Sequence, residues 1–169
     1  GSSAGAAAAV AARMGPASLG SQTAGSVLRP ASYCGVAALK PTFGRISLRG
    51  IVPITWIHDH VGIMARSVED LALLLQVTAG HDPADPTSAR EPVPDYRAGL
   101  ERRRPARIGV IRDYFFEKAN AEVVSRTQEA VDRLAQAGAR VEEAKLPPSF
   151  RAITAVSWSV IVVGAAASH

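Results

Sequence analysis

One cysteine, Cys34, stands in the 169 residues. A lone thiol cannot close an internal disulfide and fits a reducing compartment, so the expected location is the cytoplasm. Aromatic residues are only 5% of the chain, too few to interleave with basic side chains over a nucleic-acid face, and no nucleic acid is expected as a partner. Positive charge is modest, at a formal +4, and its densest source is ERRRPARIG, where Arg102, Arg103, Arg104 and Arg107 fall together. That run reads as a solvated linker ahead of a strand. Metal-ligand spacing is missing as well: there is no H-E-x-x-H and no cysteine pair, and His58 and His60 have no third ligand near them in sequence. No metal and no cofactor is expected. The alanine-rich start lacks a basic stretch and does not read as a secretory signal. The most apolar stretch, Ala152 to Ala167, holds sixteen residues. As a helix it would span roughly 24 Å against a hydrocarbon layer of ~30 Å, so it is expected to be a buried helix, with no membrane as partner.

What is present is ordinary globular material, 47% apolar and 20% charged, enough for one domain with its own core. The chain opens inside a Gly/Ser turn and stops inside an apolar helical pattern, so a piece of a larger protein is expected. Residues 4–14, AGAAAAVAARM, predict a helix behind two serines able to cap it, stopped by Gly15 and Pro16. ASLGSQT reads as a strand, AGS as a turn, and a short helix is expected to begin near Ser26. GVAALKPT reads as another strand, followed by the extended, turn-laden GRISLRGIVPI. RSVEDLALLLQVTAG is the clearest helix, with Ser67 three residues before Asp70 as its cap and Val68, Leu71, Leu74 and Leu75 as its apolar stripe. Between 106 and 146, strand, helix (121–137) and alternating strand make a βαβ-like unit, which implies a mixed or parallel sheet.

Two turns of small residues, GSSAGA and QTAGSV, each carry serine. Turns without bulk let backbone approach a ligand or another strand closely. Serine needs a base to take its proton and donors to hold the oxyanion that forms. The HDH at 58–60 offers histidine beside aspartate, but adjacent residues point different ways and make a poor orienting pair. No G-x-S-x-G elbow occurs, because valine follows Ser26. Unpaired N–H groups in such turns suit either an anion or an oxyanion, so a non-enzymatic anion- or nucleotide-binding module is an open alternative.

GSSAGAAAAVAA, GSQTAGSVLRPASYCGVAALKPTFGRIS, GIVPI, DHVGIMARSVEDLALLL and DPADPTS cover residues 1–88 almost continuously. In that order they resemble the amidase signature family of serine amide hydrolases. The resemblance implies an α/β fold, with a mixed, largely parallel central sheet flanked by helices. Residues 1–169 would form one incomplete domain, with a signature core at 1–88 and a strand–helix–strand plus apolar helix at 106–169. It implies Ser26 as nucleophile and Ser2, twenty-four positions earlier, as the bridging serine, preceded by a cis Gly1–Ser2 bond. Thr23, Ala24, Gly25 and Ser26 match the loop whose amides form the oxyanion hole, and Ser3 matches a supporting position. The family's lysine lies upstream of the matched stretch and is absent from this chain. Lys40 reads as structural, and neither Lys118 nor Lys145 fills the role, so the chain alone is expected to be inactive. The partner implied is a small-molecule amide, and apolar surface around 152–167 makes homodimer formation possible.

Gln22, Ala24 and the placement of Arg29 three after Ser26 depart from common family residues and resemble the free-standing amidases. The alternative within the family is the amidotransferase subunit that releases ammonia from glutamine for tRNA-dependent amidation. Ile63 and the run WIHDH also depart from the usual pattern, so Trp56, Ile57 and His58 are expected to reshape a surface or pocket.

Overall fold

The computed structural model describes residues 2–101 and 105–169. The linker reading of Arg102, Arg103 and Arg104 lies outside the described residues. The chain divides into two compact units, residues 1–102 with 158–169, and residues 103–157.

In the first unit the alanine run forms α1 (Ala4–Ala11), and Arg13 turns out of it with φ at 59°. β1 (Ala17–Gln22), β2 (Ala37–Leu39) and β3 (His60–Ala65) make a sheet in the order β1-β3-β2. β3 is the centre, antiparallel to both neighbours, with Gln22 opposite His60 and Leu39 opposite Ile63. Successive strand residues face opposite sides, and β3 uses both. Met64 packs with Ala7 of α1 and with Val27 and Ala31, the latter on α2 (Leu28–Cys34). Ile63 and Ala65 pack on Leu71 and Leu75 of α3 (Val68–Thr78). Ile63 and Met64 are fully buried, each contributing roughly 1.5–3 kcal/mol through removal from water. The sheet is thus a layer between α1 and α2 on one face and α3 on the other. A five-residue helix, α4 (Tyr96–Leu100), follows.

In the second unit β4 (Arg107–Ile111) and β5 (Arg140–Ala144) pair in parallel across α5 (Ala121–Gln136), capped by the Asn120 side chain at the Val123 amide. A 3-10 turn at Pro148–Ala152 leads into α6 (Ile153–Ser168), whose residues from Trp158 onward belong to the first unit.

The α/β class with helices flanking the sheets is as expected. Strand direction needs a correction: among the described residues the parallel pairing is that of β4 and β5, and the three-stranded sheet is antiparallel. The cause is β3, a strand that no alternation in the sequence marks and that runs between the two earlier strands. Its apolar run HVGIMA does not alternate, because both faces are covered. Gly62 sits where an added Cβ would lie 2.8 Å from the Leu39 carbonyl oxygen and 2.8 Å from Val27 Cγ1.

Two smaller corrections concern helices. The cap on α3 is as expected, Ser67 Oγ accepting from the Asp70 amide at 3.1 Å. Val68, placed in its apolar stripe, is 56% exposed, and Ala72 is buried in the stripe instead. The apolar C-terminal segment is a helix but not a buried one. Within α6 only Ile161 is buried among the described residues, while Val162 and Val163 are 61% and 69% exposed. The helical run also starts earlier than expected. With the 3-10 turn it covers Pro148–Ser168, 21 residues that include an 18-residue window of mean hydropathy 1.6, long and apolar enough by length and composition to cross a membrane.

Candidate active site

Gln22, the last residue of β1, is buried, and its side chain folds forward over the turn that follows. Its Oε1 accepts the Val27 and Leu28 amides, both at 2.9 Å, and its Nε2 donates to the Ala24 carbonyl at 3.3 Å. The first amides of α2 are therefore satisfied by a side chain six or fewer residues back, a cap supplied from the strand rather than from the N-cap position. The Gly25 carbonyl accepts the Arg29 amide at 2.9 Å. Between these ties, the Ala24, Gly25 and Ser26 amides donate to no described residue. Three consecutive free donors in one turn can hold an oxygen that gains negative charge.

Ser26 is half-buried in this turn, one position ahead of Val27, the N-cap of α2. It therefore precedes the helix rather than starting it. Gly25 lets the Arg29 guanidinium lie against it, since a Cβ there would be 2.8 Å from an Arg29 terminal nitrogen.

The other small-residue turn is drawn to the same strand. Ser3 is buried at the N-cap of α1, but its hydroxyl caps nothing. It donates to the Ser21 carbonyl at 3.4 Å instead, which corrects the expected capping role. A Cβ on Gly20 would fall 2.6 Å from Ser3 Oγ, so α1 and β1 meet through a glycine. Ser2 is exposed beside it. The Ser2 and Ser26 hydroxyls hydrogen-bond neither to each other nor to another described residue. Among the described residues no peptide bond is cis; the Gly1–Ser2 bond involves Gly1 and lies outside them.

Thr23 begins the turn and donates its hydroxyl to Asp59 Oδ1 at 2.6 Å. Asp59, 3% exposed, accepts the Ile54 and Thr55 amides on its other oxygen at 2.6 and 3.2 Å. That carboxylate is fully engaged and bonds to neither neighbouring imidazole, so the HDH run makes no His–Asp pair. His60 holds its Nδ1 2.7 Å from the His58 carbonyl and meets Phe43 edge-on at 5.4 Å. Burial holds the His60 pKa below 6.5, opposing the raising effect of the His58 carbonyl, and nearby Lys40 adds to the lowering. Because a carbonyl oxygen can only accept, the His60 Nδ1 that faces it is the donor. Lys40 itself donates to the Pro41 carbonyl at 3.0 Å, in keeping with a structural role.

DPADPTS folds into a second tie. Asp85, 5% exposed, accepts the Leu48 amide at 2.7 Å, the Thr87 amide at 2.8 Å and the Thr87 hydroxyl at 2.6 Å. Asp82 accepts from the Ala84 amide and from Ser47 Oγ. Both loops that frame Trp56 are thereby fixed. Trp56 lines a cavity of about 280 Å³ with Leu48, Ile51, Ala84 and Pro86. A cavity of about 550 Å³ between Glu69, Asp95, Arg97 and Leu100 contains none of the serines. Among the described residues no three His, Cys, Asp or Glu side chains group as metal ligands would.

Sequence reasoning finds the turn but misses its two fasteners, Gln22 and Asp59. The signal for Gln22 is its place at the end of a strand just before small residues. Asp59 carries only its position between two histidines.

The family profile described as Amidase matches residues 1–169. A glutamyl-tRNA(Gln) amidotransferase subunit of Syntrophobacter fumaroxidans is 47% identical over 148 residues, covering 87% of this chain and 30% of that protein. The crystal structure of the corresponding glutamyl-tRNA(Gln) amidotransferase subunit from Thermotoga maritima superposes with a TM-score of 0.92 at 34% identity, over 99% of this chain and 37% of the other. Native peptide amidase from Stenotrophomonas maltophilia gives 0.83 at 34% identity, over 99% and 35%. The chain spans about a third of the length of these relatives.

Proposed function

The chain belongs to the amidase family, and from that premise we propose that it is the nucleophile-bearing segment of a serine amide hydrolase acting through an acyl-enzyme on Ser26. Its location in this reading is the cytoplasm, in keeping with the unpaired Cys34. The observation that carries the reading is the free run of amides at Ala24, Gly25 and Ser26, held between the Gln22 cap and the Thr23 tie.

In this reading the substrate carbonyl oxygen lies against those amides, and Ser26 Oγ adds to the carbonyl carbon. The Ser26 proton passes to Ser2, whose own proton goes on to the departing nitrogen. The C–N bond breaks, the amine or ammonia leaves, and an ester on Ser26 remains. Water then adds to that ester by the reverse relay and releases the carboxylic acid. The base that keeps Ser2 ready is, by family resemblance, a lysine, and this reading assigns that role to none of Lys40, Lys118 and Lys145, so the activity it describes is that of the full-length protein. Losing one oxyanion donor typically lowers the rate roughly a hundred- to thousand-fold.

The test is mass-spectrometric mapping of a fluorophosphonate adduct on the full-length protein, beside the activity of Ser26→Ala and Ser2→Ala on a carboxamide. Label on Ser26 and loss of turnover in both variants are expected. Label elsewhere, or an active Ser26→Ala, overturns the reading.

A second reading, a glutamine-hydrolysing component of an amidotransferase, is favoured by the 47% identity to such a protein. Gln22, Ala24 and Arg29 argue for the free-standing hydrolase. Purification decides: a protein that hydrolyses simple carboxamides without partner chains is the hydrolase, and one active on glutamine only within a complex is the amidotransferase component.

A further inference from the structure

We propose that Asp59 is a positioning residue for the oxyanion loop, acting through Thr23. This deepens the serine-hydrolase reading and rests on it. The argument is geometric. Asp59 is almost wholly buried at the head of β3, one residue before His60, which stands opposite Gln22 in the sheet register. Its two carboxylate oxygens are divided between two segments: Oδ1 takes the Thr23 hydroxyl at 2.6 Å, and Oδ2 takes the Ile54 and Thr55 amides. The group cannot rotate to release Thr23 without also releasing the other turn. Short O–H to carboxylate bonds are the strong, charge-assisted kind.

Thr23 is the residue between the end of β1 and the first free amide, so its side chain fixes where the loop departs. Gln22 fixes where it ends, at Val27 and Leu28. Ala24, Gly25 and Ser26 are bracketed by these two anchors and carry no hydrogen bond from their own amides to a described residue. Within the turn, the Ala24 carbonyl held by Gln22 Nε2 shares a peptide plane with the Gly25 amide, and the Gly25 carbonyl held by the Arg29 amide shares one with the Ser26 amide, so the aim of the Ala24 amide at the loop's entry falls to the Thr23 tie. A misplacement of about 1 Å in a catalytic constellation can lower the rate roughly a hundredfold. The same carboxylate ties Ile54–Thr55, and with them the turn carrying Trp56, to the oxyanion loop, so the two move as one piece.

The experiment uses the full-length protein and a carboxamide substrate. Thr23→Val removes the hydroxyl at nearly constant volume, Thr23→Ser keeps it, and Asp59→Asn weakens the acceptor. Expected for Thr23→Val is a kcat reduced about ten- to a hundredfold with KM within about threefold, slower fluorophosphonate labelling of Ser26, and recovery of most of the rate in Thr23→Ser. Thr23→Val in an Asp59→Asn background should add less loss than it does alone, because both changes act on one bond. The proposal is overturned if Thr23→Val leaves kcat and labelling unchanged, if its effect falls on KM alone, if Thr23→Ser does not recover the rate, or if the two changes multiply. Should Asp59→Asn fail to fold, the Thr23 pair decides alone. An active Ser26→Ala would instead sink the underlying hydrolase reading, so the two failures are distinguishable.

Discussion

Gln22 and Val27 are joined by a 2.9 Å hydrogen bond from the Val27 amide to the Gln22 side-chain oxygen, and Leu28 shares the same acceptor. A strand-end side chain thus performs the capping that a residue at the helix start normally supplies. Replacing Gln22 by Leu keeps its bulk and removes the acceptor, leaving a buried amide unsatisfied. The expected loss is about 1–3 kcal/mol, read as a lower urea midpoint with an unchanged slope. Because the turn also loses its Nε2 tie to the Ala24 carbonyl, amide hydrolysis by the full-length variant should fall further than its stability.

Asp85 predicts an acid-sensitive loop. Burial works against its charge, but the Thr87 hydroxyl and the Leu48 and Thr87 amides outweigh it and hold its pKa below 3.8. A carboxylate with a depressed folded-state pKa adds stability above its unfolded value and forfeits it as pH falls through the folded one. Stability should therefore drop as the pH falls below about 4, and Asp85→Asn should be less stable near neutrality but show a shallower drop. Urea midpoints at several pH values for the two proteins check this, and parallel curves would contradict it.

His60 carries the opposite sign. Its pKa is lowered in the fold, mainly by burial, so below about pH 6.5 the unfolded chain takes up a proton that the folded chain resists. Acidification from about pH 7.5 to about pH 5.5 should lower the melting temperature, and His60→Gln should lose part of that dependence. Equal pH dependence in the two proteins would show that His60 titrates alike in both states.

Much of this is legible in sequence where local chemistry decides conformation. The alanine run, the Ser67 cap and the small-residue turn at 23–26 each announce themselves within a few residues. β3 is not legible, because a strand covered on both faces loses the alternation that marks a strand, and Gly62 looks like a breaker until the Leu39 carbonyl and Val27 are seen against it. Asp59 is not legible for a different reason. Its partner Thr23 lies 36 positions away, and nothing in a charged residue's neighbours tells which distant hydroxyl it will meet. The exposure of α6 likewise depends on what packs against it, which composition does not record.

The sheet order has a consequence for how the protein is made. Among the described residues β1 and β2 both pair with β3 and not with each other, and β3 is the last of the three to be synthesised. A ribosome that has released Ser26 into solution has released a strand end with no neighbour and a hydroxyl with nothing to aim at. The turn takes its shape only when residues 59–65 emerge and close long-range pairings, the kind of contact that slows folding. Pausing translation before that stretch would leave Thr23 without its carboxylate partner, and resuming it would let the Asp59 tie close on the turn.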